Sequence, residues 1–225
     1  MFYTRRNFMV AAGGLTLAAT GAFAQDSLHE LKDDSGKPVT NYKVPSELSL
    51  DGLPGVFWIG SDAPDVILAE FSDFNCPYCK RAARDLESLR QKDKALRIGM
   101  VQNAVLGLDS YQAARVFLAV LRLHGPQPAH RMRTELFARR GVVGGRTALD
   151  VAEQLKLDVG KVEAQANDPL IGEALKKHIK LSENLGFNAT PSYMLNGVGI
   201  LGYPGPKTVA RLVASVRECD DLSCG

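Results

Sequence analysis

Glu70-Phe71-Ser72-Asp73-Phe74-Asn75-Cys76-Pro77-Tyr78-Cys79 is the stretch that decides how this chain is read. It grows out of Val66 to Phe71, apolar at nearly every position, as a strand buried on both faces should be. Behind it, Pro77 to Gln91 places Ala82, Ala83, Leu86 and Leu89 at helical spacing. Cys76 therefore stands at a helix start, where free backbone N–H groups and the positive end of the helix dipole favour a thiolate. Pro77 suits the first helical turn, where a missing N–H costs nothing. Cys79 falls one turn further in. Two thiols at this spacing close a small disulfide and reopen it, which is a redox centre. A structural staple works by closing a long loop, and a two-residue gap closes almost none.

The remaining two of the four cysteines, Cys219 and Cys224, sit at the far end. In a continuous helix their Cα atoms would be too far apart to bond, so the helix must stop near Cys219 if they do. The first expectation is a tail disulfide formed after export, and a second redox relay is the alternative. Four thiols in two pairs also fit a zinc site. The terminal position of the second pair and the helix start at Pro77 weigh against that.

Thr4-Arg5-Arg6-Asn7-Phe8-Met9 has the twin-arginine pattern, followed by an apolar stretch from Val10 to Phe23 and a small-x-small cleavage site, Ala22-Phe23-Ala24. Residues 1–24 read as an export signal, with the mature chain beginning at Gln25. An ordinary secretory signal carrying two arginines would lead out of the cytosol as well. Disulfides persist there, and the expected location is the periplasm. The formal charge of +2 includes Arg5 and Arg6. Without them 25 basic residues (27 minus 2) face 25 acidic ones. No basic patch argues for nucleic acid, and no apolar run is long enough for a membrane span.

Residues 25–54 are polar, with a turn or linker around Asp33 to Pro38 and no evident role. Val56 to Gly60 and Val66 to Phe71 are the first strands, and Leu96 to Leu106 contains the next. Sequential βα units suggest parallel pairing. A helical block spans about 108–185, broken at Gly125-Pro126-Gln127-Pro128, with its second helix running from Ala129 to Arg139. Ser192 to Leu195, the Asn196-Gly197 turn and Val198 to Leu201 form a hairpin. Lys207 to Arg217 is a final amphipathic helix. The class is α/β, a central mixed sheet with an inserted helical block, one domain over 55–218 and a tail at 219–225.

The stretch from Glu70 to Cys79, together with Ala189-Thr190-Pro191-Ser192 before the hairpin, resembles the thioredoxin-fold DsbA family of periplasmic thiol-disulfide oxidoreductases. The resemblance runs from about Val56 to Arg217 and includes a helical insertion of matching position. Two features depart from it: Pro77-Tyr78 lacks the histidine of the strongest oxidases, and the Cys219/Cys224 tail lies outside the common core.

The resemblance implies that Cys76 is a partly exposed nucleophile and Cys79 a buried resolving thiol, with Pro77 and Tyr78 tuning the potential. It places Thr190-Pro191 as a cis-proline loop facing the dithiol, whose backbone can pair with an extended substrate. It puts Glu70 beneath the second thiol, where a buried carboxylate takes and returns the Cys79 proton. The plain alternatives are a trans proline starting an edge strand and an exposed strand-end glutamate. Asp73 is the competing acid, expected at the surface. Lys80 and Arg81 are candidates for favouring the thiolate, with Arg84 on a solvated face. His29, His124, His130 and His178 read as surface or partly buried, and Trp58 and Tyr203 as packing residues.

No cofactor is implied. The expected partners are exported proteins with free thiols or disulfides, and an unidentified redox partner that recycles the dithiol. The expected activity is oxidation of dithiols in exported proteins. A reductase or isomerase resembling the DsbG/DsbC group is the alternative. The shortness of residues 25–54 against that group's N-terminal dimerisation domain favours the oxidase.

Overall fold

The computed structural model describes residues 27–224. The export signal and its cleavage site lie outside the described residues. Six strands make one sheet in the order β1-β6-β5-β3-β4-β2. Its centre is β3 (Val66–Ser72), parallel to β4 (Leu96–Gln102) and antiparallel to β5 (Ser192–Leu195). Helix α1 (Pro77–Lys92) is the crossover that parallel pairing of β3 and β4 requires. Parallel pairing stops there: β2 (Phe57–Gly60) runs antiparallel to β4 as an edge strand.

The two faces of β3 go to different partners, because side chains alternate along a strand. Val66 and Leu68 join the core under α1 and the last helix, α7 (Pro206–Cys219). Ala69 and Phe71 join a second apolar cluster with Leu181, Leu185 and Phe187. Glu70 shares its face with Leu68, so the chain aims a carboxylate into the first core.

The helical block comprises α2 (Leu108–His124), α3 (Pro126–Ala138), α4 (Gly145–Gln154), α5 (Val159–Ala166) and α6 (Pro169–Asn184). Gly125 does break the first helix, but α3 begins at Pro126, earlier than the sequence suggests. Both prolines fall in its first turn, where an N–H has no helical partner. Between β5 and β6 (Val198–Leu201), Asn196 and Gly197 both have positive φ, 48° and 71°, as a tight two-residue turn demands.

Residues 27–54 have a role that polarity concealed. β1 (Asn41–Lys43) pairs antiparallel with β6 and closes that side of the sheet. Asp34 reaches the start of α7, where its carboxylate accepts from Lys207 N at 3.1 Å and Thr208 N at 2.8 Å. Gly205, the residue before α7, has no side chain to cap with. A Cβ there would lie 2.5 Å from Asp34 Cγ, so the glycine makes room for a cap supplied by a distant segment.

His178 corrects another expectation, for it is wholly buried. Its Nδ1 accepts from Gln102 N at 3.1 Å, and Nε2 lies 2.7 Å from Pro54 O. This geometry suits a neutral ring with the proton on Nε2. Burial pushes its pKa down to about 4, opposed by the bond to Pro54.

Two stability measurements follow. Asp34→Ala should lower stability by about 1 kcal/mol in urea unfolding, the usual cost of losing a helix cap. His178 binds its proton more readily in the unfolded chain. Its stabilising contribution is therefore complete above pH 6.5 and is lost as pH falls through about 4. His178→Gln should shrink the stability loss across that window by about 3 kcal/mol, even if the variant is less stable at neutral pH.

Candidate active site

The loop between β3 and α1 is held by a buried acid. Asp73, expected at the surface, is 1% exposed. Burial is tolerable because three donors reach its carboxylate: Asn75 N at 2.8 Å and Ser110 Oγ at 2.7 Å on Oδ1, and Leu106 N at 3.0 Å on Oδ2. Its backbone carbonyl accepts from Cys76 N at 3.1 Å. Asn75 adds a clamp to the helical block. Its Oδ1 accepts from Val143 N at 2.7 Å, while Nδ2 donates to Val143 O and Ser110 Oγ, both at 2.9 Å. The sequence reading passed over Asn75 and Ser110. The available signal was an Asp-x-Asn turn before a helix, since such side chains bond nearby backbone.

Cys76 caps α1 with extended backbone, φ −83° and ψ 120°, and its Sγ accepts from Cys79 N at 3.4 Å. It is only 5% exposed, more covered than expected. The cover comes from the loop before β5: the Cys76 thiol donates to Thr190 O at 3.0 Å, and the Thr190–Pro191 peptide bond is cis. The Cys76 pKa is lowered to about 6. The bond from the Cys79 thiol is the largest cause, burial opposes it, and the Thr190 side chain with the N–H groups of Cys79 and Tyr78 adds to the lowering.

The side chains of Lys80 and Arg81 are engaged away from the Cys76 sulfur: Lys80 Nζ donates to Arg139 O at 2.8 Å, and the Arg81 guanidinium lies over the Tyr78 ring at 4.5 Å. The largest influences favouring the thiolate are short-range hydrogen bonds at the helix terminus.

Cys79 is fully buried, with Asp73 N 3.5 Å from its Sγ. Burial pushes its pKa far up, and the bond to Cys76 and the charge of Glu70 push the same way. The two thiols are thus driven apart, one towards thiolate and one held neutral. Glu70 is fully buried too, which removes the reading of an exposed strand-end glutamate. Its Oε2 accepts from Arg133 Nη2 at 2.6 Å. Burial raises its pKa and Arg133 opposes the rise.

Cys219 and Cys224 form a disulfide, with Cα atoms 5.9 Å apart. Helix α7 ends at Cys219, and Asp220 turns left-handed to bring the chain back. Among the described residues, no group of three or more His, Cys, Asp or Glu converges as metal ligands would. Tyr203 packs against the core and also donates to Asp85 Oδ2 at 2.5 Å.

A family model described as thioredoxin matches residues 53–215. No curated protein matches the chain. Among solved structures, a thioredoxin-like oxidoreductase from Silicibacter pomeroyi is 26% identical, with a TM-score of 0.71 over 78% of this chain and 99% of its own. A periplasmic thioredoxin-like protein from Salmonella enterica serovar Typhimurium is 21% identical, with a TM-score of 0.68 over 79% of this chain and 99% of its own. The thiol-disulfide exchange protein alpha-DsbA2 from Wolbachia pipientis is 19% identical, with a TM-score of 0.67 over 72% of this chain and 88% of its own. The last two share the fold.

The geometry sets the outcome of thiol titration. In the reduced protein, Cys76 should react with iodoacetamide with a pH midpoint near 6, while Cys79 should stay unmodified until the protein unfolds. Thr190→Val removes the hydroxyl and should raise the Cys76 midpoint by about one pH unit. An unchanged midpoint would show that the Thr190 hydroxyl plays no part in holding the thiolate.

Proposed function

The chain belongs to the thioredoxin family, and from that premise we propose that it is a thiol-disulfide oxidoreductase of the cell envelope that oxidises dithiols in exported proteins through Cys76 and Cys79. The observation that carries this reading is the divergence of the two thiols. Cys76 is a low-pKa sulfur at the mouth of α1, and Cys79 is a neutral sulfur one turn deeper.

The cycle starts from the Cys76–Cys79 disulfide. A substrate thiolate attacks Cys76 Sγ, the intramolecular S–S bond breaks, and Cys79 leaves and takes up a proton. The second substrate thiolate then attacks the substrate sulfur of the mixed disulfide. Cys76 departs as thiolate, a good leaving group because its pKa is low. The substrate leaves with a disulfide, and two electrons remain on the protein until a redox partner removes them. Pro77 shapes the first turn and Tyr78 supplies an N–H to the Cys76 sulfur, so both tune the potential. Thr190 and Pro191 present the backbone along which an extended substrate lies.

A thiolate of pKa about 6 also sets a direction. At pH 7 it favours the reduced form about tenfold over an unperturbed thiol, which makes the disulfide about 30 mV more oxidising. Polypeptide substrates fit the surroundings. Tyr78, Leu106, Leu108 and Val142 are exposed on α1 and on the segments tied to the active-site loop by Asp73 and Asn75. Such a rim suits unfolded chains. An envelope location is supported by the twin-arginine pattern and by the periplasmic source of the Salmonella protein.

Equilibration with glutathione buffers, read out by alkylation and mass, measures the potential of the pair. The expected value lies above the roughly −270 mV of thioredoxin, on the oxidising side. A value near that figure would reject the oxidase and favour the reductase or isomerase reading. Cys76→Ser should abolish oxidation of a reduced protein substrate, and Cys79→Ser should accumulate the mixed disulfide.

A further inference from the structure

We propose that Arg133, contributed by the helical insertion, is a positioning residue for the redox step: it pins Glu70 as a carboxylate through one oxygen and leaves the other free to exchange the proton of Cys79. The inference rests on the oxidoreductase reading above and deepens it. The insertion then does more than cover the active site, because one of its side chains sets the charge state of the group beneath the thiols.

The observations are geometric. Arg133 lies on α3 with its side chain 5% exposed, and Glu70 lies on β3 with its side chain fully enclosed. Nη2 and Oε2 are 2.6 Å apart, a short charge-assisted bond. Glu70 Oε1 is enclosed and has no hydrogen-bond partner, and neither has Arg133 Nε. A buried carboxylate bound at one oxygen and bare at the other is an incomplete ion pair, and its open acceptor is a natural proton station. Arg133 is itself held in place: its guanidinium lies 4.9 Å from the Phe137 ring, one turn on in α3. It also lines a cleft between α1 and α3 together with Lys80, Arg84, Glu87 and His130. The side chain thus stands between Glu70 and a solvent-facing groove.

The titratable groups around Glu70 are few. Arg133 faces it from α3, and Cys76 and Cys79 from α1. From the sheet, its β5 neighbour is Tyr193, buried and neutral, and its β4 neighbour is Met100, which does not titrate. Tyr203 feels the same carboxylate from the loop before α7 and is held neutral by burial. Arg133 is the only cation in this set, so it alone offsets the desolvation of Glu70.

The proton and electron balance is closed within these groups. When the dithiol closes on a mixed disulfide, the Cys79 proton passes to Glu70 Oε1 through a water, because no hydrogen bond joins the two groups directly. The Cys79 thiolate attacks Cys76 Sγ, the Cys76–substrate S–S bond breaks, and the Cys76–Cys79 bond forms. The substrate sulfur leaves as thiolate with both electrons of the broken bond. In the oxidative direction each transfer reverses, and Glu70 returns the proton to the departing Cys79.

The test prepares the Cys76–glutathione mixed disulfide and follows release of glutathione against pH in wild type, Arg133→Met, Arg133→Lys, Glu70→Gln and the double variant Glu70→Gln/Arg133→Met. Without Arg133 the Glu70 carboxyl holds its proton to higher pH. The Arg133→Met profile should then move up by at least about one pH unit, with release at pH 7 at least about tenfold slower. Arg133→Lys should recover most of the rate. The double variant should match Glu70→Gln, because Arg133 acts only through Glu70. It also leaves no lone buried charge, so it remains measurable if Arg133→Met folds poorly. An unchanged Arg133→Met profile, or a double variant clearly slower than Glu70→Gln, would overturn the proposal. Alkylation of Cys76 in the same variants separates this from failure of the oxidoreductase reading. A fast Cys76 with a midpoint near 6 keeps that reading intact whatever Arg133 does, and a slow Cys76 in wild type would sink it.

Discussion

Everything in this molecule turns on keeping one sulfur at the open end of α1. A helix start offers N–H groups that no carbonyl inside the helix can reach. Here the cap is a cysteine, a weaker acceptor as a thiol than the usual Ser or Asp. The bond from Cys79 N becomes strong only when Cys76 is ionised, so the protein gains from the thiolate. The Thr190 carbonyl, 3.0 Å from the same sulfur, works the other way and binds the protonated thiol. Cys76 thus sits between a donor that wants its anion and an acceptor that wants its proton, a balance suited to a group that changes state in every turnover.

That balance requires rigid surroundings, and the chain provides them with buried polar groups. Asp73 and Asn75 fix the loop before the helix by bonds to Ser110, Leu106 and Val143, all in or next to the helical block. Glu70 is tied to Arg133 in the same block. An apolar core of similar shape would be as stable or more so. Polar bonds hold direction as well as distance, and direction is what a thiolate at a helix end requires. The insertion and the sheet therefore meet at the active site through directed contacts.

Much of this was legible in the sequence. Cys76-Pro77-Tyr78-Cys79 behind an apolar strand pointed to the candidate site, because strand burial and helix capping are local properties read from neighbouring residues. The hairpin at Asn196-Gly197 and the final helix were legible for the same reason. What escaped was long-range. Asp73 looks like a surface acid until Ser110 and Leu106 arrive from elsewhere to satisfy it. His178 looks like one more scattered histidine until Gln102 and Pro54 bracket its ring. Residues 25–54 showed no evident role in the sequence because the partners of their described part, β6 and α7 among them, lie at the other end of the chain. Periodicity cannot report a bond between residues that far apart.

The link from Asp34 to Thr208 spans 174 positions, and it bears on how the molecule assembles. The α7 cap cannot form until that helix has been synthesised. Other contacts of the same segment close sooner: β1 pairs with β6, and the Tyr42 hydroxyl donates to Leu185 O. Distant closure slows folding through the entropy of the loop it must bring together. A helix made late therefore takes its cap from a segment made early.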